Sequence, residues 1–313
     1  MDCSVRPLEV GRGAGLSIAL VSTIDFFFPL VEDPVLMGRI GCANTLSDLY
    51  AMGVSRCDNM LMVLAASRDM PPGVQEIVTR AMVRGFKDAA SEGGVTVTGG
   101  QSILNPWPII GGVAQSVVSM DELVFPNGAQ VRDLIVLTKP LGTQIAVNLH
   151  QWLHDEEKWE RVEHCISKEQ ARRAYDVAAA SMERLNRCAS TLMKIHGAHC
   201  ATDVTGFGIL GHAENLASNQ RNEVSFILDL LPIIRGMSAV DSTLSNGDLF
   251  KLKQGRSAET SGGLLICFPE HQAQAFCDEL ERLESWQAYI VGRVEQGNRS
   301  SHITTNVKIV EVE

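Results

Sequence analysis

Four aspartates carry the chemistry this sequence suggests first. Asp2 stands at the front of the chain and Asp25 lies in the apolar run STIDFFF. Asp48 is embedded in the helical stretch ANTLSDLYAMG, and Asp203 leads into the glycine-rich segment ATDVTGFGILGHAENLA. A carboxylate among apolar or small residues is costly to bury unless it is paired or coordinated. Mg2+ bound to a nucleotide uses one or two carboxylates together with phosphate oxygens and water. Scattered aspartates without a Glu-rich or histidine cluster fit that hard ion better than zinc or iron. Taken singly, each also reads as a helix cap or a surface group. Asp203, just before a helical pattern, has the form of a cap, and the free N–H groups of a helix start would equally suit an anion or a metal–phosphate group.

The glycines offer competing chemistry. Residues 206–211, GFGILG, match the G-x-G-x-x-G spacing of dinucleotide-binding turns, but that motif needs a hydrophobic strand directly before it. The preceding HCATDVT is too polar and too short for a buried parallel strand, so the dinucleotide reading is set aside. TGGQS (98–102) follows a strand-like segment and leaves room for the backbone to approach a phosphate. TSGGLL (260–265) reads equally as a packing turn. The chain has no G-x-x-x-x-G-K-[ST] phosphate loop, no G-x-S-x-G nucleophile elbow and no H-E-x-x-H zinc motif. Its eight cysteines form no C-x-x-C pair and read as reduced, buried thiols. Cys3, among polar residues near the front, is the one to watch, although an isolated cysteine there still reads as structural.

A chain of 313 residues must position these groups, which is enough for two domains with substantial cores. Thirty-seven acids against 27 bases give a net charge of −10. That balance disfavours nucleic acid and anionic membrane as partners, yet it admits a nucleotide whose metal ion inverts the local sign. No apolar run approaches the length of a membrane span, and the front has neither signal-peptide nor transit-peptide character. The expectation is a soluble, cytoplasmic protein.

In the first half, strand-like 16–28 precedes a helix over 38–53 with Gly53 at its C-cap. A strand at 60–67 and an amphipathic helix from PPG (71–73) to Gly93–Gly94 follow, then strands at 95–102 and 107–118. The turn-rich FPNGAQVRD (125–133) leads into strand 134–139, and the domain boundary is placed there, giving domains 1–137 and 138–313. The second half reads as the helix QIAVNLHQWL, one long helix over 168–196, strand VSFILDL, a helix at 270–283, and strands AYIVGRV and HITTNVKIVEV. Strands and helices mix in both halves, so the fold class is α/β (α+β) with two domains.

Several longer segments carry more. STIDFFFPLVEDPVLMGRIGCANTLSDLYAMG, VTGGQSILNPWPIIGGVA, VLTKPLGTQIAVNLHQWL, ATDVTGFGILGHAENLA and ETSGGLLICFP closely resemble selenophosphate synthetase, particularly its eukaryotic form, in order and spacing over essentially the whole chain. The resemblance implies the two-domain aminoimidazole ribonucleotide synthetase-like fold, in which two protomers pair their N-terminal sheets into a barrel. It implies a homodimer that converts ATP, selenide and water into selenophosphate, AMP and phosphate with Mg2+. By this resemblance Asp2, Asp48 and Asp203 are metal ligands, and Asp2 and Asp48 also belong to the nucleotide site. Asp25 matches a residue near the nucleotide. Gly99, Gly100, Gln101 and Ser102 match a phosphate-contacting loop supplied by the partner protomer.

The sequence departs from the family at two places. Ile24 stands where many relatives have threonine. In the family, a glycine-rich segment ahead of Met1 carries a reactive cysteine or selenocysteine and an essential lysine, and Cys3 does not match that nucleophile's position. The reading is therefore a selenide, water dikinase core, truncated at its N-terminus and expected to be inactive alone. The alternative is a non-catalytic paralogue that serves as a dimerisation or regulatory partner. A small-molecule kinase of the same superfamily, releasing ADP, is a third reading.

Overall fold

Alternating apolar and polar residues, rich in Val and Ile, give the first half its strands, and glycines and prolines punctuate them. The structure, a computed structural model, describes residues 2–8 and 17–313; Met1 and Leu16, the first residue of the expected strand 16–28, lie outside them. The chain divides into two compact units, Met1–Val124 with Glu183–Thr191, and Phe125–Met182 with Leu192–Glu313.

The first unit contains β1 (Ser4–Leu8), β2 (Ile18–Phe27), α1 (Pro34–Ala51), β3 (Asn59–Ser67), α2 (Pro72–Glu92), β4 (Val97–Asn105) and β5 (Ile109–Ser119). The strands form one sheet in the order β1-β2-β5-β3-β4. Helices α1 and α2 pack together, α1 against β2 and β5 and α2 against β3. Asp33 caps α1, accepting from Val35 N at 2.8 Å, and Pro34 opens the helix. The opposite face of the sheet is apolar and open: Ile24 and Phe26 on β2 are 62% and 54% exposed, and Ile103 on β4 is also exposed.

TGGQS lies within β4 rather than in a loop after a strand. Gly100 has φ +146°, and a Cβ there would stand 1.9 Å from Met62 O. Only glycine lets this edge strand run so close to β3.

The second unit contains β6 (Leu134–Leu137), α3 (Thr143–Trp152), α4 (Glu156–Glu160) and α5 (Lys168–Glu183). After α6 (Arg187–Ile195), which starts in the first unit, come β7 (Cys200–Asp203), α7 (Gly208–Ser218), β8 (Val224–Ile234), α8 (Met237–Thr243), β9 (Leu264–Phe268), α9 (Glu270–Glu284), β10 (Tyr289–Gln296) and β11 (Ser301–Val312). Its sheet runs β11-β8-β10-β6-β9-β7. β6, placed by the sequence reading at the junction of the two domains, pairs with β9 and β10 in this sheet.

The single helix expected over 168–196 is two helices. Asn186, between them, donates its side-chain amide to Ser47 Oγ (3.1 Å), Arg187 reaches Ser55 O (3.1 Å) and Glu183 pairs with Arg39. These bonds hold 183–191 within the first unit and interrupt the helical ladder. All eight cysteines are free thiols, and Cys3 is buried, 4% exposed, which removes it as a nucleophile. No described helix is long and apolar enough to cross a membrane.

Candidate active site

Two matched periodicities build the carboxylate site of the first unit. Residues 44 and 48 share one face of α1 and stand about 6 Å apart along its axis. Residues 23 and 25 share one face of β2 and stand about 6.8 Å apart. The spacings correspond, so two side-chain pairs form across the helix–sheet interface: Thr23 Oγ1 donates to Asp48 Oδ2, and Asn44 Nδ2 donates to Asp25 Oδ2. Burial pushes the Asp25 carboxyl up, against the opposing hydrogen bonds from the Asn44 side chain and the Phe26 backbone.

Asp2 lies two residues ahead of Ser4, the start of β1, which runs antiparallel to β2 with Ser4 opposite Ser22. A carboxylate oxygen of Asp2 lies within 4.8 Å of one on Asp48. Two oxygens on opposite sides of one Mg2+ span about 4.2 Å. The donors are oxygens only, and both residues are half-buried. This pair fits a hard divalent ion and offers nothing to a soft one.

Gly99, Gly100, Gln101 and Ser102 are exposed on β4, and β5 and β3 stand between β4 and β2. Three inter-strand spacings separate the two strands, about 14 Å. A single chain therefore does not bring these residues to Asp25.

Asp203 ends β7 in the second unit and is buried, 3% exposed. The strand is more buried than its sequence suggested, all four residues being inside, but it runs antiparallel to β9, with Asp203 opposite Leu264. That pairing removes the parallel-sheet context a dinucleotide turn requires. Gly208, at φ +69°, begins α7 where a Cβ would lie 2.5 Å from Gly255 O. This glycine of GFGILG thus serves close packing.

Behind Asp203 lies a buried polar frame the sequence reading did not single out. Glu259 accepts from Gly142 N (2.7 Å), Thr143 N (3.0 Å) and Thr143 Oγ1 at the start of α3. Lys139, fully buried, donates from Nζ to Ser261 O at 2.7 Å. The signal for both was present in the sequence: KPLGT and ETSGG each set a charged residue beside a glycine turn.

Comparison with known proteins gives the class first. The family model for the N-terminal domain of AIR synthase related proteins matches residues 9–118, and the C-terminal model matches 130–304. The fold is therefore the mixed α/β, two-domain AIR synthase-like fold. Solved structures agree: thiamine monophosphate kinase from Aquifex aeolicus has a TM-score of 0.68 at 15% identity, covering 100% of this chain and 93% of that one. Hydrogenase maturation protein HypE in complex with ATP has a TM-score of 0.69 at 16% identity, covering 94% and 85%.

Closer relatives narrow the class. Selenide, water dikinase 2 of Homo sapiens is 55% identical over all of this chain and 68% of its own length. Selenide, water dikinase of Dictyostelium discoideum is 46% identical over 100% and 86%. The chain belongs to the selenide, water dikinase family, a family of kinase-type phosphotransferases.

Proposed function

We propose that this protein makes selenophosphate from selenide, ATP and water, releasing AMP and phosphate, with Mg2+ at the reacting phosphates. The observation that carries the reading is the Asp2–Asp48 oxygen pair, set by Thr23, in a chain of this family. By the family resemblance, Asp2, Asp48 and Asp203 are the residues that would hold the metal. Mg2+, when bound, offsets the charge of the triphosphate and of the phosphate that leaves. Thr23 and Asn44 do the positioning within the chain: each donates to one carboxylate oxygen, of Asp48 and Asp25 respectively. Asp25 lies beside the nucleotide. The test follows ATP with 31P NMR in the presence and absence of selenide: selenide-dependent AMP and a new selenophosphate resonance are expected, and ADP as the only nucleotide product would overturn the reading.

The working form is a homodimer. The open face of the first sheet exposes Ile24 and Phe26, a contiguous apolar surface of the kind that marks protein association. β4 places Gly99–Ser102 too far from its own chain's Asp25 to serve the same nucleotide, and a partner's β4 would supply them instead. Ile24→Asp is expected to convert the dimer to a folded monomer in sedimentation velocity, because a carboxylate at this exposed position costs the single chain little and a buried interface much. The free thiols of all eight cysteines suit a reducing compartment such as the cytoplasm.

A further inference from the structure

Asp203 can hold a metal only if the end of its strand is fixed. β7 is four residues long and lies at the edge of its sheet, with β9 as its one strand neighbour among the described residues. Past the end of β7, Val204 N donates to Gly263 O (2.9 Å), and Thr205 O accepts from Glu259 N (3.0 Å) and Gly208 N (3.1 Å). Thr205 N, by contrast, needs a partner from outside the ladder. His212, one turn into α7, supplies it: Nε2 accepts the Thr205 N–H at 2.9 Å, with Thr205 Oγ1 at 3.2 Å. The imidazole is 8% exposed, and the Phe207 ring packs 5.5 Å away. Nε2 therefore carries no proton of its own, which makes it an acceptor for the Thr205 backbone.

We propose that His212 is a positioning residue for Asp203: by accepting the Thr205 N–H just past the end of an edge strand, it fixes the backbone two residues beyond the carboxylate. The inference rests on the reading of Asp203 as a metal ligand. The groups that orient a ligand matter nearly as much as the ligand itself, and a carboxylate displaced by a fraction of an ångström loses its ion. The signal is legible in TGFGILGH, where His212 falls four residues after the glycine that opens the helix.

The experiment titrates Mn2+ alone into the protein at pH 7.5 and reads free Mn2+ by electron paramagnetic resonance. The variants are Asp203→Asn, His212→Leu, His212→Asn and His212→Gln, each with a thermal melt. His212→Leu removes the acceptor, His212→Asn draws it back out of reach, and His212→Gln keeps one near the Nε2 position. Mn2+ affinity is expected to fall about 10-fold in the Leu and Asn variants and to stay within about twofold in the Gln variant. A histidine that only packs would lower the melting temperature in all three and leave Mn2+ affinity unchanged. Wild-type affinity in the Leu and Asn variants alongside weakened Asp203→Asn, or a loss in Gln as large as in Leu, overturns the positioning role. Unchanged binding in Asp203→Asn, or no Mn2+ binding by the wild type, overturns the reading of Asp203 itself.

Discussion

Asp48→Asn is expected to lower selenide-dependent AMP release by about 10^2- to 10^3-fold, the range seen when one preorganised electrostatic contact to reacting phosphate or oxyanion charge is removed. The substitution is nearly isosteric and keeps an oxygen that can accept from Thr23 Oγ1, so the helix–sheet packing of α1 on β2 survives. What disappears is a charge, and a neutral amide oxygen holds a hard divalent ion less strongly. The loss is therefore expected to be recovered in part by raising Mg2+, shifting the half-activating concentration upward. Thr23→Val, which removes only the hydroxyl that orients Asp48, should show the same shift on a smaller scale. The check is the initial rate of AMP formation across a Mg2+ series at saturating ATP. A variant with the wild-type rate and the wild-type Mg2+ dependence would sink the assignment of Asp48.

Glu259→Ala is expected to destabilise the second unit by about 3 kcal/mol or more, since three donors, Gly142 N, Thr143 N and Thr143 Oγ1, lose one shared acceptor and each buried unsatisfied group costs about 1–3 kcal/mol. The start of α3 then has no side-chain acceptor to meet its N–H groups. Burial pushes the Glu259 carboxyl up to about 7, against the hydrogen bonds from Gly142 and Thr143. Its pKa is higher in the folded chain than the usual 4.5, so the native state holds more protons between those values and stability falls as pH rises from 4.5 to 7. The alanine variant lacks this titration. The gap between wild type and Glu259→Ala should thus be widest at the acid end of that window and narrow toward pH 7, as read by denaturant melts at several pH values. A gap that widens toward neutral pH would show that the hydrogen bonds outweigh burial.

Strand and helix periodicities placed most elements within a few residues, because β2, β5 and α2 each have one buried face whose spacing is written in the sequence. The carboxylates were legible for the same reason, since an aspartate in STIDFFF or NTLSDLY breaks an apolar pattern. Their partners were not. Thr23 and Asn44 look ordinary in sequence, and only the crossing of α1 over β2 turns the i, i+4 and i, i+2 spacings into two bonded pairs. The break between α5 and α6 was hidden because Asn186 ends the helix through Ser47, 139 residues away in sequence. TGGQS read as a loop because a glycine pair ordinarily punctuates a strand; here Gly100 lets an edge strand continue beside β3. Glu259 escaped notice since it acts on backbone groups more than 100 residues away, and His212 since it serves the backbone of its own turn; neither role leaves a periodicity.

The return of residues 183–191 to the first unit bears on how the chain is made. A ribosome that has released residue 124 has delivered all five strands of the first sheet but not the segment that completes the unit. Ser47, Ser55 and Arg39 must wait for Asn186, Arg187 and Glu183, while strand β6 and helices α3 to α5 of the second unit emerge in between. Domains usually fold in order of synthesis, N-terminal first; here the order is interleaved. The flank of α1 that bears Ser47 and Arg39 stays unfinished until the second unit is partly synthesised, which makes the nascent first unit a natural client for protection during translation.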